Sequence, residues 1–382
     1  MKMVFLDWEK AFDQVQHEKL FISLKRAGLS QHYVDVMQNC YRDPGFFVKD
    51  DFGESARKRQ SSGIRQGCPL SPYLLVLVMT CVDHDVQQKI IGHVKNNRLP
   101  GFHFHMLYYA EDTILVSQST RGVNELLKWT EQISLQYGLK LNKDKCVAVT
   151  MNTDGEIRFQ NQDPLKKEYE TTYLGNEINK DVNIQLEISN KIHEVRKTWL
   201  KLFPYWKATG ASKKWKLIVF DAVIRSKLLY GLETVQLTQA MCKKIDAFQL
   251  RGLRKILSMN TTFINRANTN AKVYEEATKI AYPNAEDNRK VKPFSTYYAD
   301  KKASLLGHIL RASDDDPLRQ VSFQPGTAYR VQYVKKRIGQ LRQNWIHQAK
   351  KFVYVDLLHL FTYSESIAED NRILQHAVNR RF

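Results

Sequence analysis

Two acidic segments, each closing an apolar run of strand character, constrain this chain more than anything else in it. They are Phe5-Leu6-Asp7-Trp8-Glu9-Lys10-Ala11-Phe12-Asp13 and Tyr108-Tyr109-Ala110-Glu111-Asp112. Met3–Leu6 is short and uniformly apolar, which predicts a buried strand delivering Asp7 to its tip. Phe102–Tyr109 and Thr113–Ser117 read as a hairpin with Ala110, Glu111 and Asp112 at its turn. If the two tips meet on neighbouring strands, their carboxylates form one pocket of hard oxygen donors, suited to a pair of Mg²⁺ ions holding a triphosphate. A single Asp at a strand end is more often a helix cap or a surface acid; the pairing of two such segments reverses that and favours ligands.

The remaining pattern is mixed. Leu20, Phe21 and Leu24 share one face of a helix over His17–Ala27 that stops at Gly28, and Ser30 opens a second helix to Tyr41. Phe46–Arg65 reads as a hairpin turning at Asp51-Phe52-Gly53-Glu54, and Pro69 and Pro72 suit the first turn of an apolar helix to Ile91. Gly122–Tyr137 is an amphipathic helix ending at Gly138. Short strands are expected near Lys145–Met151, Ile157–Gln160 and Tyr169–Ile178. From Val182 the character is nearly continuous helix, over Val182–Trp206, Ser212–Leu237 and Gln239–Leu257. Thr261–Pro293 is polar and poorly periodic, as a linker would be. Helices follow around Ala299–Ser313 and Gly339–Leu360. The fold class is α+β, in three parts: 1–179, a helical 180–260, and a mostly helical, basic 261–382.

Charge narrows the partner. The chain has 58 Lys and Arg against 40 Asp and Glu, a net +18. Between Lys191 and Asn260 there are 15 basic and 4 acidic residues, so this stretch alone carries +11. Nucleic acid is the commonest large polyanion, and the cations are spread through helices with aromatics between them; an anionic membrane surface is the alternative. The five cysteines are widely spaced, without a Cys-x-x-Cys pair, which argues against a disulfide framework or a structural zinc and suits a reducing, intracellular setting. The longest apolar run, Tyr73–Val82, is too short to span a bilayer.

The acidic segments are accompanied by Ser62-Gly63-Ile64-Arg65-Gln66-Gly67-Cys68-Pro69-Leu70-Ser71-Pro72, Gly138-Leu139-Lys140-Leu141-Asn142-x-x-Lys145 and Tyr173-Leu174-Gly175. In order and wording these resemble the palm of a reverse transcriptase of the non-LTR (LINE-type) retrotransposons. Arg251–Leu257, Leu306–Arg311 and the Arg337…Trp345-Ile346 segment resemble stretches found downstream of the polymerase in such elements. The resemblance implies a palm, a helical thumb and a C-terminal extension. It implies RNA-directed DNA synthesis with RNA template, DNA primer, deoxynucleoside triphosphates and two Mg²⁺ ions (Mn²⁺ as a substitute), and residence in the nucleus.

Residue by residue, it makes Asp7, Glu111 and Asp112 the metal ligands, with Asp112 the least direct. Phe12 would stack under the sugar and exclude a 2′-hydroxyl; an ordinary core Phe is the other reading. Gly63 and Gly67 would let backbone approach a base pair closely, with Arg65 and Gln66 facing nucleotide or template. Lys145 is a candidate proton donor to the departing pyrophosphate, or a solvated surface lysine. Asp13 reads as a cap on the following helix. Lys213, Lys214, Arg251, Arg254 and Lys255 would grip phosphates, whereas Trp199, Trp206 and Trp215 stack on bases or fill the core.

Three departures stand out. Glu111 replaces the family's Asp and moves a carboxylate by about one C–C bond, more than the ~0.5 Å tolerance of a catalytic constellation. The chain begins at the first palm motif, so the preceding fingers strands are expected to be missing. No endonuclease segment or Cys/His knuckle is legible. Together these predict a truncated, decayed copy of a mobile element.

Overall fold

A computed structural model describes residues 1–90, 105–151, 155–181, 183–207, 210–284, 289–327, 331 and 345–355. The chain divides into two compact units, Met1–Thr172 with Ile178–Asp181, and Tyr173–Glu177 with Val182–Phe382.

The first unit runs β1 (Lys2–Leu6), α1 (Ala11–Gln14), α2 (His17–Arg26), α3 (Gln31–Cys40), β2 (Gly45–Phe46), β3 (Lys49–Asp50), β4 (Gly53–Glu54), β5 (Lys58–Arg59) and α4 (Ser71–Lys89). It continues through β6 (Met106–Tyr109), β7 (Asp112–Ser117), α5 (Thr120–Gln136), β8 (Val147–Thr150) and β9 (Lys166–Lys167); β10 (Glu170–Tyr173) and β11 (Asn176–Asn179) each have residues in both units. Five strands form one sheet in the order β6-β7-β1-β8-β9. The fully buried β1, apolar from Met3 to Leu6, therefore lies at its centre, antiparallel to β7 on one side and to β8 on the other.

Strand periodicity then sorts the two faces. Val4 and Leu6, with Leu115 of β7, join the core formed with α4 and α5, including Leu75, Val78, Leu126 and Leu127. Met3, Phe5, Ile114 and Val116 are buried but outside that core, and the ladder pairs Met3 with Val116 and Phe5 with Ile114. They belong to the opposite face.

The mixed α+β class holds. Several boundaries differ from expectation. Asp112 is the first residue of β7, so the hairpin loop is only Ala110-Glu111; residues 102–104 lie outside the described residues. The 46–65 hairpin consists of two short ladders, β2 with β5 and β3 with β4, turning at Asp51-Phe52. Ile157–Gln160 makes one isolated bridge, Arg158 to Pro164. The Tyr169–Ile178 strand is a hairpin of β10 and β11, because Leu174 (φ 47°) and Gly175 (φ 74°) both take the left-handed conformation that a tight hairpin turn requires.

In the second unit α6 (Ile184–Lys201), α7 (Phe203–Lys207) and α8 (Lys213–Val219) are followed by a π-helical turn, Phe220–Arg225, α9 (Ser226–Leu229) and a 3₁₀ turn, Leu232–Thr234. The expected helix Ser212–Leu237 is thus interrupted, ending at Gly231 with φ 73°. Next come α10 (Gln239–Leu257), α11 (Asn270–Ala281), α12 (Phe294–Arg311), α13 (Pro317–Ser322) and α14 (Trp345–Val355). The expected linker 261–293 contains α11, whose buried face is only Val273, Ala277 and Ala281; small residues at that spacing leave a faint hydropathy signal. Trp199 and Trp206 stack with centroids 4.6 Å apart, and Phe220 stacks on Phe294 at 5.9 Å, so both tryptophans pack with the core of this unit. Trp215 is exposed. Val182, 339–344 and 356–360, which the expected helices include, lie outside the described residues. No described helix is long and apolar enough to cross a membrane.

Candidate active site

The last pair of the β1–β7 ladder is Leu6 with Thr113. One step further, the same register sets Asp7 against Asp112, and strand parity puts both on the face of Phe5 and Ile114, away from the helices. Asp7 is fixed from several sides. Its carbonyl accepts from Asn142 N–H at 2.9 Å, and its N–H lies 3.5 Å from Cys146 Sγ. The neighbouring Trp8 Nε1 donates to Thr113 Oγ1 at 3.1 Å, and Glu9 N–H to Lys140 O at 2.8 Å. The two acidic segments and the 138–145 segment thus meet.

The electrostatics agree. Burial, then the negative charges of Glu111 and Asp7, push the Asp112 carboxyl above its ordinary range. Lys145 Nζ lies 3.8 Å from Asp7 Oδ1. Burial pushes the Cys146 thiol up to about 11, so it stays protonated beside Asp7. Two non-glycine residues near the acidic tips, Lys10 (φ 46°) and Ala110 (φ 51°), hold left-handed backbone, a strain that collects at functional sites.

The 62–67 loop lies on the segment after Asp7. Ile64 N–H donates to Phe12 O at 2.6 Å, Gly63 N–H to Val15 O at 2.7 Å and Ser62 Oγ to Asp13 O at 3.0 Å. Gln66 Nε2 donates to Asp13 Oδ1 at 3.1 Å. Asp13 lies inside α1 and receives Gln66, while the position before α2 is Gln16, so the expected cap is corrected. Gly63 is corrected too. A Cβ there would stand 2.7 Å from Asp13 Cα and O, so its room is taken by α1 and none is left for a base pair. Gly67 (φ 81°) has open space around it and keeps the expected geometry. Arg65 is exposed and donates to Cys40 O at 3.3 Å. Phe12 is half-buried against the core.

Residues 2–178 match the family described as reverse transcriptase (RNA-dependent DNA polymerase). Residues 2–178 are a reverse transcriptase domain.

Over 144 residues the chain is 33% identical to a Drosophila melanogaster retrovirus-related Pol polyprotein from type-2 retrotransposable element R2DM, covering 38% of this chain and 13% of that protein. It is 25% identical over 267 residues to the RNA-directed DNA polymerase from mobile element jockey, of the same organism, covering 66% of this chain and 28% of that one. The chain therefore spans a minor part of these relatives, which are of the non-LTR, LINE type. A solved structure of apo telomerase from Candida tropicalis superposes with a TM-score of 0.39 at 13% identity, over 84% of this chain and 52% of that one.

Reverse transcriptases use divalent metal ions. Among the described residues no three His, Cys, Asp or Glu side chains form a group that could hold one. The chemistry at the tips of β1 and β7 nonetheless fits a divalent cation: every donor is a hard oxygen, and Asp112 sits against Asp7 and Glu111 in a like-charge repulsion that a cation would relieve.

Of the basic residues in the second unit, Lys214 and Lys255 are exposed. Lys213 Nζ donates to Leu257 O at 2.9 Å at the end of α10, and the exposed Arg251 donates to Ala247 O at 3.2 Å. Arg254 is half-buried and donates to Asn268 O at 2.9 Å and Asn270 Oδ1 at 3.1 Å, and so acts as a brace rather than the expected open phosphate contact. Sequence reading missed Cys146 and Trp8 as neighbours of the acidic tips; nothing in their local pattern marks a residue that touches another strand.

Proposed function

We propose that this chain copies RNA into DNA, adding deoxynucleotides to a primer 3′ end, with Asp7, Glu111 and Asp112 holding two Mg²⁺ ions or, in their place, Mn²⁺. The observation that carries this reading is the alignment of Asp7 and Asp112 on one face of the sheet, at the solvent-accessible tips of β1 and β7. Such ions, when bound, would neutralise the triphosphate and acidify the primer hydroxyl. Lys145, beside Asp7, would return a proton to the leaving pyrophosphate. Phe12 would underlie the sugar, and Arg65, Gln66 and Gly67 would border the incoming nucleotide. Residues 1–179 would serve as palm, 180–260 as thumb carrying the duplex on Lys213, Lys214, Arg251 and Lys255, and 261–382 as a basic extension, all working in the nucleus.

The test is primer extension on an RNA template, comparing the chain, Glu111→Asp and Asp7→Ala. Restoring the shorter carboxylate should raise the rate by about 10², and Asp7→Ala should abolish it. No incorporation by Glu111→Asp would remove the catalytic assignment.

One observation favours a second reading. Glu111 sits in the hairpin loop with the longer side chain, and the described residues gather no three-ligand cage. A remnant that binds nucleic acid without chemistry would show salt-sensitive binding that Asp7→Ala leaves untouched, and no Mg²⁺-dependent incorporation.

A further inference from the structure

Among the described residues of the second unit, the most exposed large apolar pair is Phe263-Ile264, at 97% and 70% of full exposure, in the loop between α10 and α11. A loop that exposes so much apolar surface ordinarily signals a partner. This loop is built rather than slack. Ile264 and Asn265 N–H donate to Thr261 O at 3.1 and 2.9 Å, Asn268 Nδ2 to Asn260 O at 3.1 Å, and Arg254 braces the far side through Asn268 and Asn270. Phe263 and Ile264 are therefore presented by an ordered turn, which lowers the ordering cost of inserting them into anything.

The surroundings say what that is. Lys213 ties the start of α8 to the end of α10, so the first turn of α8, the last turn of α10 and this loop lie at one end of the unit. No Asp or Glu occurs in residues 195–220 or 247–274. Lys214, Lys255, Arg266 and the exposed Trp215 stand in those stretches, and none of the three cations forms an ion pair among the described residues. An apolar wedge ringed by unneutralised cations matches a nucleic-acid duplex, in which phosphates flank a stack of apolar base faces.

We infer that Phe263 and Ile264 form a wedge that enters between base steps of a duplex whose phosphates rest on Lys214, Lys255 and Arg266. The inference rests on the reading that this chain handles a template–primer duplex, but its test needs no nucleotide incorporation.

The experiment measures binding of the full chain to a fluorescent RNA–DNA hybrid carrying 2-aminopurine, across a salt series, beside single-stranded RNA and phosphatidylserine vesicles. The double variant Phe263→Ser/Ile264→Ser, altered only at exposed positions, should bind the hybrid about tenfold more weakly, lose the 2-aminopurine increase and keep the wild-type salt slope. Lys214→Ala/Lys255→Ala/Arg266→Ala should instead lower the salt slope by about 3 while any remaining binding still unstacks the base. Unchanged affinity and fluorescence in Phe263→Ser/Ile264→Ser would overturn the wedge, as would wild-type binding to vesicles in preference to the hybrid. A chain that fails primer extension yet shows the wedge signature overturns only the polymerase reading.

Discussion

Lys145 holds its ammonium 3.8 Å from Asp7 Oδ1, at the tip of the central strand. Both side chains are substantially exposed, at 67% and 42%, so the pair contributes under ~1 kcal/mol to stability. Its importance lies in where it sits: a lysine beside a strand-end carboxylate can hand a proton to a group held there.

Lys145→Ala should therefore leave the melting temperature nearly unchanged while slowing nucleotide addition by about 10². Mg²⁺ should raise the melting temperature of the chain and of Lys145→Ala but not of Asp7→Ala. Differential scanning fluorimetry over a Mg²⁺ titration checks the first and third statements, and single-turnover extension the second.

Asp112 carries a carboxyl raised above its ordinary range by burial and by Glu111 and Asp7. Because the folded state prefers the protonated form, stability from this group is full at low pH and falls as pH rises through its folded pKa. Asp112→Asn removes the penalty. The variant should melt higher than the parent at neutral pH without divalent ions, and the gap should close below the ordinary carboxylate range. An equal gap at both pH values would show that repulsion is not the cause.

The two glycines of the 62–67 loop should respond differently to the same change. Gly63→Ala meets Asp13 backbone at 2.7 Å and a φ of 90°, and should cost about 2 kcal/mol or more. Gly67→Ala meets nothing within 4 Å and should cost about 1 kcal/mol, from its φ alone. Chemical denaturation of both variants decides this; an equal loss would mean that packing on α1 is not what Gly63 serves.

Lys302 is fully buried, donating to Val235 O at 2.6 Å, Tyr298 Oη at 2.8 Å and Gln348 Oε1 at 2.8 Å. Burial brings its pKa down to about 7 from 10.5. The unfolded chain then binds more protons between these values, so stability should rise with pH from about 7 to 10.5. Lys302→Met should flatten that part of the melting-temperature profile. A slope equal to the parent's would assign the dependence to other groups.

Local chemistry made much of this protein legible. The apolar run before Asp7, the prolines at the start of α4 and the glycine after α5 announced their elements, and the wording of residues 5–13, 62–72 and 108–112 announced a reverse transcriptase domain. These are signals carried by neighbours in sequence. The helix within 261–293 escaped because Val273, Ala277 and Ala281 are too small to mark a face, and the break at Gly231 escaped because its helical flanks are both apolar.

What only the tertiary structure decided is which atoms share space. Register alone set Asp7 beside Asp112, because a one-residue slip would turn one of them into the helical core. Packing assigned Gly63 to α1 and left Gly67 open, though both stand in the same loop and the sequence treats them alike. Arg254 and Lys255 are adjacent cations, yet one braces a loop and the other faces solvent. Sequence names the chemistry a side chain can do; the direction of its Cα–Cβ bond, fixed by the whole fold, determines where that chemistry is done.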